Sequence, residues 1–139
     1  MLFFQLPVLP ETLLRAHGFA ALRWPFRADP RRNGAYTPED IEGIVRAASV
    51  PGALTAMVDW YRAMLRRRPH KRWQPIAAPV QLIWGERDRY LGADLAEPDP
   101  RWVPDQRLLR IAGASHWVQA DAPEQVNATL LEFFQPLLG

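Results

Sequence analysis

The first half of the chain places apolar residues three and four positions apart, the spacing that lines one face of a helix. Residues 10–23 follow this pattern and predict a first helix. Residues 37–50 predict a second, because Thr37 suits the N-cap and Pro38 suits the first helical position. After a Pro-Gly break, residues 53–68 predict a third helix that ends in arginines, which a helix C-terminus favours.

The second half of the chain has short apolar runs instead, which are typical of buried strands. Residues 79–84 and 107–111 predict two strands, and residues 95–105 between them predict a short helix and a loop. Residues 123–138 predict a closing helix. The residues that this helix is expected to bury are Val126, Leu130, Leu131 and Phe134. A strand, a crossover, a second strand and a helix form the usual ending of a parallel α/β sheet.

The change in pattern divides the chain into residues 1–72, a helical region, and residues 73–139, an α/β region. Two parallel strands do not make a sealed core, because parallel sheets normally bury both faces. We therefore expect further strands from another part of the same protein or from a partner chain.

Composition indicates a globular protein outside the membrane. Of the 139 residues, 48% are hydrophobic and 23% are charged, which are values of a soluble domain. No run approaches the roughly 18 apolar residues that span a bilayer. A net charge of +2 gives no case for binding to nucleic acid or anionic membranes. The absence of cysteine excludes disulfides, thiolate metal sites and cysteine nucleophiles, and it makes a reducing cytoplasm the simplest location.

The basic run at residues 66–72 and the scattered histidines do not indicate a ligand. A charge run between two regions is usually a solvated connector, so we expect no nucleic-acid binding there. His17 and His70 have no partners at metal-ligand spacing, and we expect neither a metal nor a cofactor.

An acid and a histidine follow the two predicted strands. Asp88 ends the sequence GERD after the first strand, and His116 lies in GASHW after the second. Functional groups of open α/β sheets gather at the carboxyl ends of the strands, so both side chains should face one crevice. An imidazole beside a carboxylate can take a proton from water near neutral pH. A turn-capping aspartate and a structural histidine would fit the same positions.

The segments around these two residues resemble a known family. PVQLIWGERDRYLG and GASHWVQADAPEQVN, within residues 79–138, resemble the C-terminal signature of the epoxide hydrolase and haloalkane dehalogenase branch of the α/β-hydrolases. The resemblance implies a partial α/β-hydrolase fold: a helical lid, then the last two parallel strands and the C-terminal helix of the core. It makes Asp88 the acid that orients His116, and His116 the base whose water hydrolyses an ester on an aspartate. Trp117 would line the pocket, unless it is only a core aromatic.

The predicted lid narrows the resemblance to epoxide hydrolases. TPEDIEGIVRAASVPGALTAMVDWYRA is similar to their cap helices, in which a W-Y-R segment supplies a tyrosine to the active site. Tyr61 takes that position and would protonate the alkoxide formed when the epoxide opens. Phe4, in a segment that resembles the entry to the lid, would contact the substrate. Sequence spacing alone also allows Trp60 and Tyr61 to be ordinary residues of an amphipathic helix.

Members of this family carry an oxyanion turn and a nucleophile elbow in strands that precede the lid, and neither motif occurs in residues 1–139. We therefore expect the N-terminal half of the fold to come from the same protein or from another chain. We also expect Met1 to be an internal methionine and this chain alone to be inactive.

The resemblance implies hydrolysis of an epoxide to a diol, with a small hydrophobic organic substrate and no cofactor. Two alternatives stay open. One is a haloalkane dehalogenase or esterase of the same superfamily. The other is a non-catalytic remnant or interaction module that binds a partner through its exposed sheet edge.

Overall fold

The computed structural model describes residues 2–66 and 73–137. Most of the basic run discussed above, including His70, lies outside these residues. The described chain divides into two compact units.

The helical unit contains the described residues up to 28 and those from 36 to 66, and the α/β unit contains residues 29–35 and 73–137. The sequence pattern predicts that residues 29–35 belong to the helical region. The structure groups them with the α/β unit instead, where the N–H of Arg31 donates a hydrogen bond of 2.6 Å to Asp121 Oδ1. A polar backbone contact of this kind has no signal in hydrophobic periodicity, which explains the difference.

The helical unit begins with a 3₁₀ turn at Leu2–Gln5, followed by α1 (Leu9–Ala28), α2 (Pro38–Ser49) and α3 (Ala53–Arg66). The second and third predicted helices are therefore present. The side chains at its centre are almost fully buried. They are Ile41, Val45, Ala48, Leu54 and Val58.

Helix α1 is broken at Ala16–Phe19, where the prediction of one continuous helix over residues 10–23 is wrong. His17, Gly18 and Phe19 have positive φ angles of 51°, 65° and 62°. Gly18 adopts this left-handed backbone without steric cost, which gives the chain a place to leave the helix. The carbonyl that the break frees on Gly18 accepts a hydrogen bond of 2.8 Å from Arg23 Nε.

Helix α2 starts as the sequence predicts. The hydroxyl of Thr37 accepts a hydrogen bond of 3.1 Å from the N–H of Asp40, and Asp40 Oδ2 accepts one of 2.8 Å from the N–H of Thr37. This reciprocal pair satisfies two backbone donors that the first helical turn leaves free.

None of the described helices is long and apolar enough by itself to cross a membrane. Helices α2 and α3 reach that length and composition only as a pair bent by 83°.

The α/β unit contains two parallel strands, β1 (Val80–Gly85) and β2 (Gln106–Ile111), whose ends pair as Gly85 with Ile111. A 3₁₀ turn at Ala93–Ala96 lies between them, slightly before the predicted short helix. Helix α4 (Val118–Asp121) and helix α5 (Pro123–Phe134) follow β2. The order of elements is that of the closing part of a parallel α/β sheet.

The core of the α/β unit lies between the sheet and α5. Ile111, Ala114 and Val126 are buried there, and Leu130 packs against them. The prediction that α5 also buries Leu131 and Phe134 is wrong, since these side chains are 73% and 48% exposed. Val126 and Leu130 are one turn apart and share the face toward the sheet, whereas Leu131 and Phe134 project from a different face of the helix.

Candidate functional site

Strand β1 carries Asp88 to the carboxyl end of the sheet. The chain turns directly after the strand, where the N–H of Asp88 donates to the carbonyl of Gly85 at 3.1 Å. The N–H of Arg87 donates to the carbonyl of Ala114 at 2.9 Å, so the loop after β1 is joined to the loop after β2. The two loops that hold the predicted acid and histidine are therefore neighbours through their backbones.

Gly85 allows this close approach. A Cβ atom at this position would lie 2.1 Å from the carbonyl oxygen of Ser115 and 2.7 Å from that of Ala114. Both obstacles are backbone atoms, which cannot move aside as the end of a flexible side chain would. Only glycine lets the two loops pass at this distance.

Asp88 and His116 form a hydrogen-bonded pair. Asp88 Oδ2 lies 2.8 Å from His116 Nδ1, and the aspartate side chain is only 7% exposed. Asp88 Oδ1 accepts hydrogen bonds from the N–H groups of Tyr90 at 2.7 Å and Leu91 at 3.0 Å. Because a carboxylate only accepts hydrogen bonds, Nδ1 of His116 is the donor in this pair, and in the neutral imidazole Nε2 then carries the lone pair. Among the described residues Asp88 is the one hydrogen-bond partner of the imidazole, so Nε2 can act as a base.

The surroundings of Asp88 favour its ionised form. Burial by itself raises the pKa of the carboxyl group. The hydrogen bonds from His116 and from the backbone of Tyr90 and Leu91 lower the pKa by more, and the net pKa lies below its ordinary value. The carboxylate can therefore orient the imidazole and stabilise an imidazolium ion at neutral pH.

The low pKa of Asp88 predicts a pH dependence of stability. A group whose pKa is depressed on folding stabilises the protein above its ordinary pKa of 3.8, and that contribution is lost as the pH falls through the folded value. We expect the difference in unfolding free energy between the wild type and Asp88→Asn to be largest above about pH 5 and to shrink at lower pH. Urea denaturation of both proteins at several pH values measures this difference. A difference independent of pH would contradict it.

Two aromatic rings contact the imidazole edge to face. The centroid of the Tyr90 ring lies 5.0 Å from that of His116. The ring of Trp117, the next residue along the chain, lies 5.2 Å from the imidazole. Trp117 was singled out from the sequence and Tyr90 was not. The only sequence signal for Tyr90 is its position two residues after Asp88 in a tight loop. That loop brings the Tyr90 ring close to His116, the residue that Asp88 binds. Both rings therefore pack against the imidazole.

In the helical unit, Phe4 and Tyr61 stack on each other. Their ring centroids are 4.6 Å apart, and the rings are inclined by 20°. Gln5 Nε2 donates a hydrogen bond of 3.0 Å to the carbonyl of Tyr61, and the Tyr61 side chain is about 40% exposed. The N-terminal turn therefore lies against α3 at Tyr61, the residue that the resemblance assigns to the active site.

Arg62 fastens the N-terminal segment to α3, and sequence reasoning missed it. Its guanidinium donates to the carbonyls of Phe4 at 3.0 Å and Leu6 at 2.9 Å. It also pairs with both carboxylate oxygens of Glu11 and, at 2.9 Å, with Asp59. The Arg62 side chain is largely buried. The planar guanidinium has five N–H donors and can bind these carbonyl and carboxylate oxygens at the same time. A lysine ammonium has three donors and cannot replace it.

Replacing Arg62 by alanine is expected to lower the melting temperature by at least about 5 °C, because it leaves the Glu11 carboxylate and two carbonyls without their donor. Arg66→Ala is the matched control, since Arg66 is an exposed arginine at the end of the same helix. Differential scanning calorimetry of both variants decides the matter. Equal melting temperatures for the two variants would contradict this role of Arg62.

The structure thus assembles the predicted site residues into two groups. Asp88, His116 and Trp117 meet in the α/β unit, and Phe4 and Tyr61 meet in the helical unit. A cavity of about 450 Å³ lies in the helical unit, and none of the predicted site residues lines it. Within residues 2–66 and 73–137, no three or more His, Asp or Glu side chains are grouped to hold a metal ion.

Over nearly its whole length the chain is similar to epoxide hydrolases and to a protein of the AB hydrolase superfamily. It is 35% identical over 133 residues to the AB hydrolase superfamily protein YfhM of Bacillus subtilis. It is 33% identical to epoxide hydrolase 4 and 34% identical to epoxide hydrolase 3, both of Mus musculus. These matches cover 96–100% of this chain but only 38–46% of each relative. No protein-family model matches the chain.

Solved structures give the same picture. The chain superimposes on an epoxide hydrolase of Bacillus megaterium with a TM-score of 0.76 and 24% identity, covering 95% of this chain and 49% of the other. It superimposes on a putative epoxide hydrolase of Pseudomonas aeruginosa with a TM-score of 0.74 and 30% identity, covering 97% of this chain and 48% of the other. The chain therefore has part of the α/β-hydrolase fold, and it spans 38–49% of the length of the proteins it matches.

Proposed function

We propose that this chain supplies the acid, the base and the lid tyrosine of an α/β-hydrolase that converts an epoxide to a diol. The observation that carries the proposal is the hydrogen bond between Asp88 and His116 at the ends of adjacent parallel strands. The similarity of this chain to epoxide hydrolases over nearly its whole length supports the same assignment.

The proposed reaction has two steps. An aspartate outside residues 1–139 attacks an epoxide carbon, the carbon–oxygen bond breaks, and Tyr61 gives a proton to the alkoxide that forms. His116 Nε2 then takes a proton from water, and the resulting hydroxide attacks the carbonyl carbon of the ester. The ester bond breaks, and the departing oxygen takes the proton from the imidazolium ion, which Asp88 has stabilised. Hydrolysis leaves the nucleophile as a carboxylic acid, whose proton returns to the Tyr61 phenolate, so the products are the diol and the regenerated enzyme.

Tyr61 favours an epoxide over a haloalkane as the substrate. An opening epoxide leaves a strongly basic alkoxide, which requires a proton from a group such as a phenol. A departing halide requires no proton. The phenol of Tyr61, whose ring stacks on Phe4 in a side chain that is partly exposed, suits the first case.

Diol formation from styrene oxide tests the proposal. The chain of residues 1–139 is compared with a protein extended upstream in the same reading frame, and halide release from 1-bromobutane is followed in parallel. We expect diol formation by the extended protein alone and no halide release. Diol formation by residues 1–139 would show that the nucleophile lies within the chain. Halide release without diol formation, or no reaction in any assay, would overturn the assignment to epoxides.

A further inference from the structure

A second carboxylate in the α/β unit is bonded to the backbone next to the histidine. Asp121, the last residue of α4, accepts a hydrogen bond of 2.7 Å at Oδ2 from the N–H of Ser115. Ser115 is fully buried and directly precedes His116. A charge-assisted hydrogen bond at this place fixes the peptide from which the imidazole projects.

The other oxygen of the same carboxylate holds a different part of the chain. Asp121 Oδ1 accepts hydrogen bonds from the N–H groups of Arg31 at 2.6 Å and Arg32 at 2.9 Å. Both belong to residues 29–35, the segment that connects α1 to α2 along the chain. One carboxylate thus joins three backbone donors from two segments more than eighty positions apart in sequence.

The donors around Asp121 keep it ionised. Burial raises the pKa of this group, but the hydrogen bonds from Ser115, Arg32 and Arg31 lower the pKa by more, so that it lies below the ordinary value. An ionised carboxylate accepts hydrogen bonds at both oxygens, as these three N–H groups require. An amide in its place would turn its own NH₂ donor toward at least one of the N–H groups and lose that hydrogen bond.

The segment 29–35 also reaches the loop of the acid. The Asp29 side chain is only 1% exposed, and its Oδ1 lies 3.7 Å from Nε of Arg89, the residue after Asp88. Neither carboxylate oxygen of Asp29 has a hydrogen-bond partner among the described residues. The segment between α1 and α2 therefore lies against both loops that form the Asp88–His116 pair.

We propose that Asp121 is a positioning residue, which sets the direction of the His116 imidazole toward Asp88 through the Ser115 peptide and fastens residues 29–35 to the same loop. Its effect on catalysis rests on the function proposed above. Its effect on the geometry of His116 does not, and it can be measured in the 139-residue chain without any reaction.

Amide hydrogen exchange and imidazole proton spectra of residues 1–139 test the geometric part. In Asp121→Ala we expect the exchange rates of the Ser115, Arg31 and Arg32 amides to rise about tenfold or more. We also expect the downfield Nδ1 proton signal of His116 to weaken, because a looser loop exposes the proton to exchange with water. Glu124→Gln is the matched control, since Glu124 is a second carboxylate near Arg32 but is exposed and lies 3.8 Å from the guanidinium. It should change neither the exchange rates of these amides nor the His116 signal.

Asp121→Asn covers the case in which the alanine variant does not fold. Its amide has one acceptor oxygen, so it can serve either Ser115 or the pair of arginine N–H groups, but not both. We expect faster exchange on one side only. Unchanged exchange at all three amides in a folded variant would overturn the proposal.

The effect of Asp121 on catalysis is tested in the protein that is extended upstream in the same reading frame. A displaced imidazole costs turnover rather than binding, so Asp121→Ala should lower kcat about 10- to 100-fold while KM changes less than about threefold. An unchanged kcat in a variant whose His116 signal is weakened would overturn the catalytic role alone. A loss of activity that follows only the unfolded fraction, with the His116 signal intact in the folded fraction, would overturn the positioning role.

Discussion

Replacing His116 by alanine is expected to lower the steady-state turnover of the extended enzyme at least about 10³-fold, the largest effect of any change in this chain. The reason is that His116 Nε2 is the base that the proposed second step requires. Without it, water attacks the ester too slowly to release the diol. The first step does not use this base, so ester formation should continue.

Steady-state diol formation and its first turnover separate these two steps. In His116→Ala we expect consumption of about one equivalent of epoxide per enzyme, followed by very slow release of diol. His17→Asn is the matched control, because His17 is an exposed histidine of the helical unit in a left-handed conformation that asparagine tolerates. Wild-type turnover in His116→Ala would contradict the role of the imidazole.

Replacing Tyr61 by phenylalanine is expected to reduce kcat for styrene oxide about 10²-fold. The variant keeps the ring that stacks on Phe4 at 4.6 Å and removes only the hydroxyl, so the fold of the helical unit should be unchanged. Proton donation matters less when the leaving alkoxide is less basic. The loss should therefore be smaller for an epoxide that carries an electron-withdrawing group beside the departing oxygen.

The pre-steady-state rate of ester formation is the measurement for Tyr61→Phe, since the tyrosine acts in the first step. Tyr90→Phe serves as the control, because Tyr90 contacts His116 through its ring and keeps that contact as phenylalanine. A normal rate of ester formation in Tyr61→Phe would contradict proton donation by Tyr61.

The sequence was sufficient for features that are set by neighbouring residues. The start of α2 follows from Thr37 and Asp40, whose side chains lie close enough along the chain to satisfy each other's backbone N–H groups. The two strands follow from short apolar runs, and their parallel order places Asp88 and His116 at one edge of the sheet. The fold of the α/β unit and the position of this pair could therefore be predicted.

Features set by distant residues could not be predicted. Arg62 looks like an ordinary helical cation until the carbonyls of Phe4 and Leu6 are brought next to it. Asp121 looks like a common residue at the end of a short helix, and its partners Arg31 and Arg32 contribute backbone N–H groups, which every residue has. Neither hydrophobic periodicity nor local turn chemistry carries information about such pairs.

The break in α1 had a weak local signal. Gly18 interrupts an otherwise helical pattern, and glycine disfavours the interior of a helix relative to alanine. The positive φ angles of its neighbours His17 and Phe19 depend on the rest of the helical unit, because residues with side chains adopt them only when other contacts compensate. The site of the break could have been suspected from the glycine, but its extent could not.

The most direct test of the central claim is to locate the covalent intermediate. The extended protein carrying His116→Ala is mixed with excess styrene oxide, digested and analysed by mass spectrometry. Our account predicts one equivalent of styrene oxide, added as an ester to an aspartate in a peptide outside residues 1–139. An adduct on a carboxylate within residues 1–139, or continued turnover without any adduct, would contradict it.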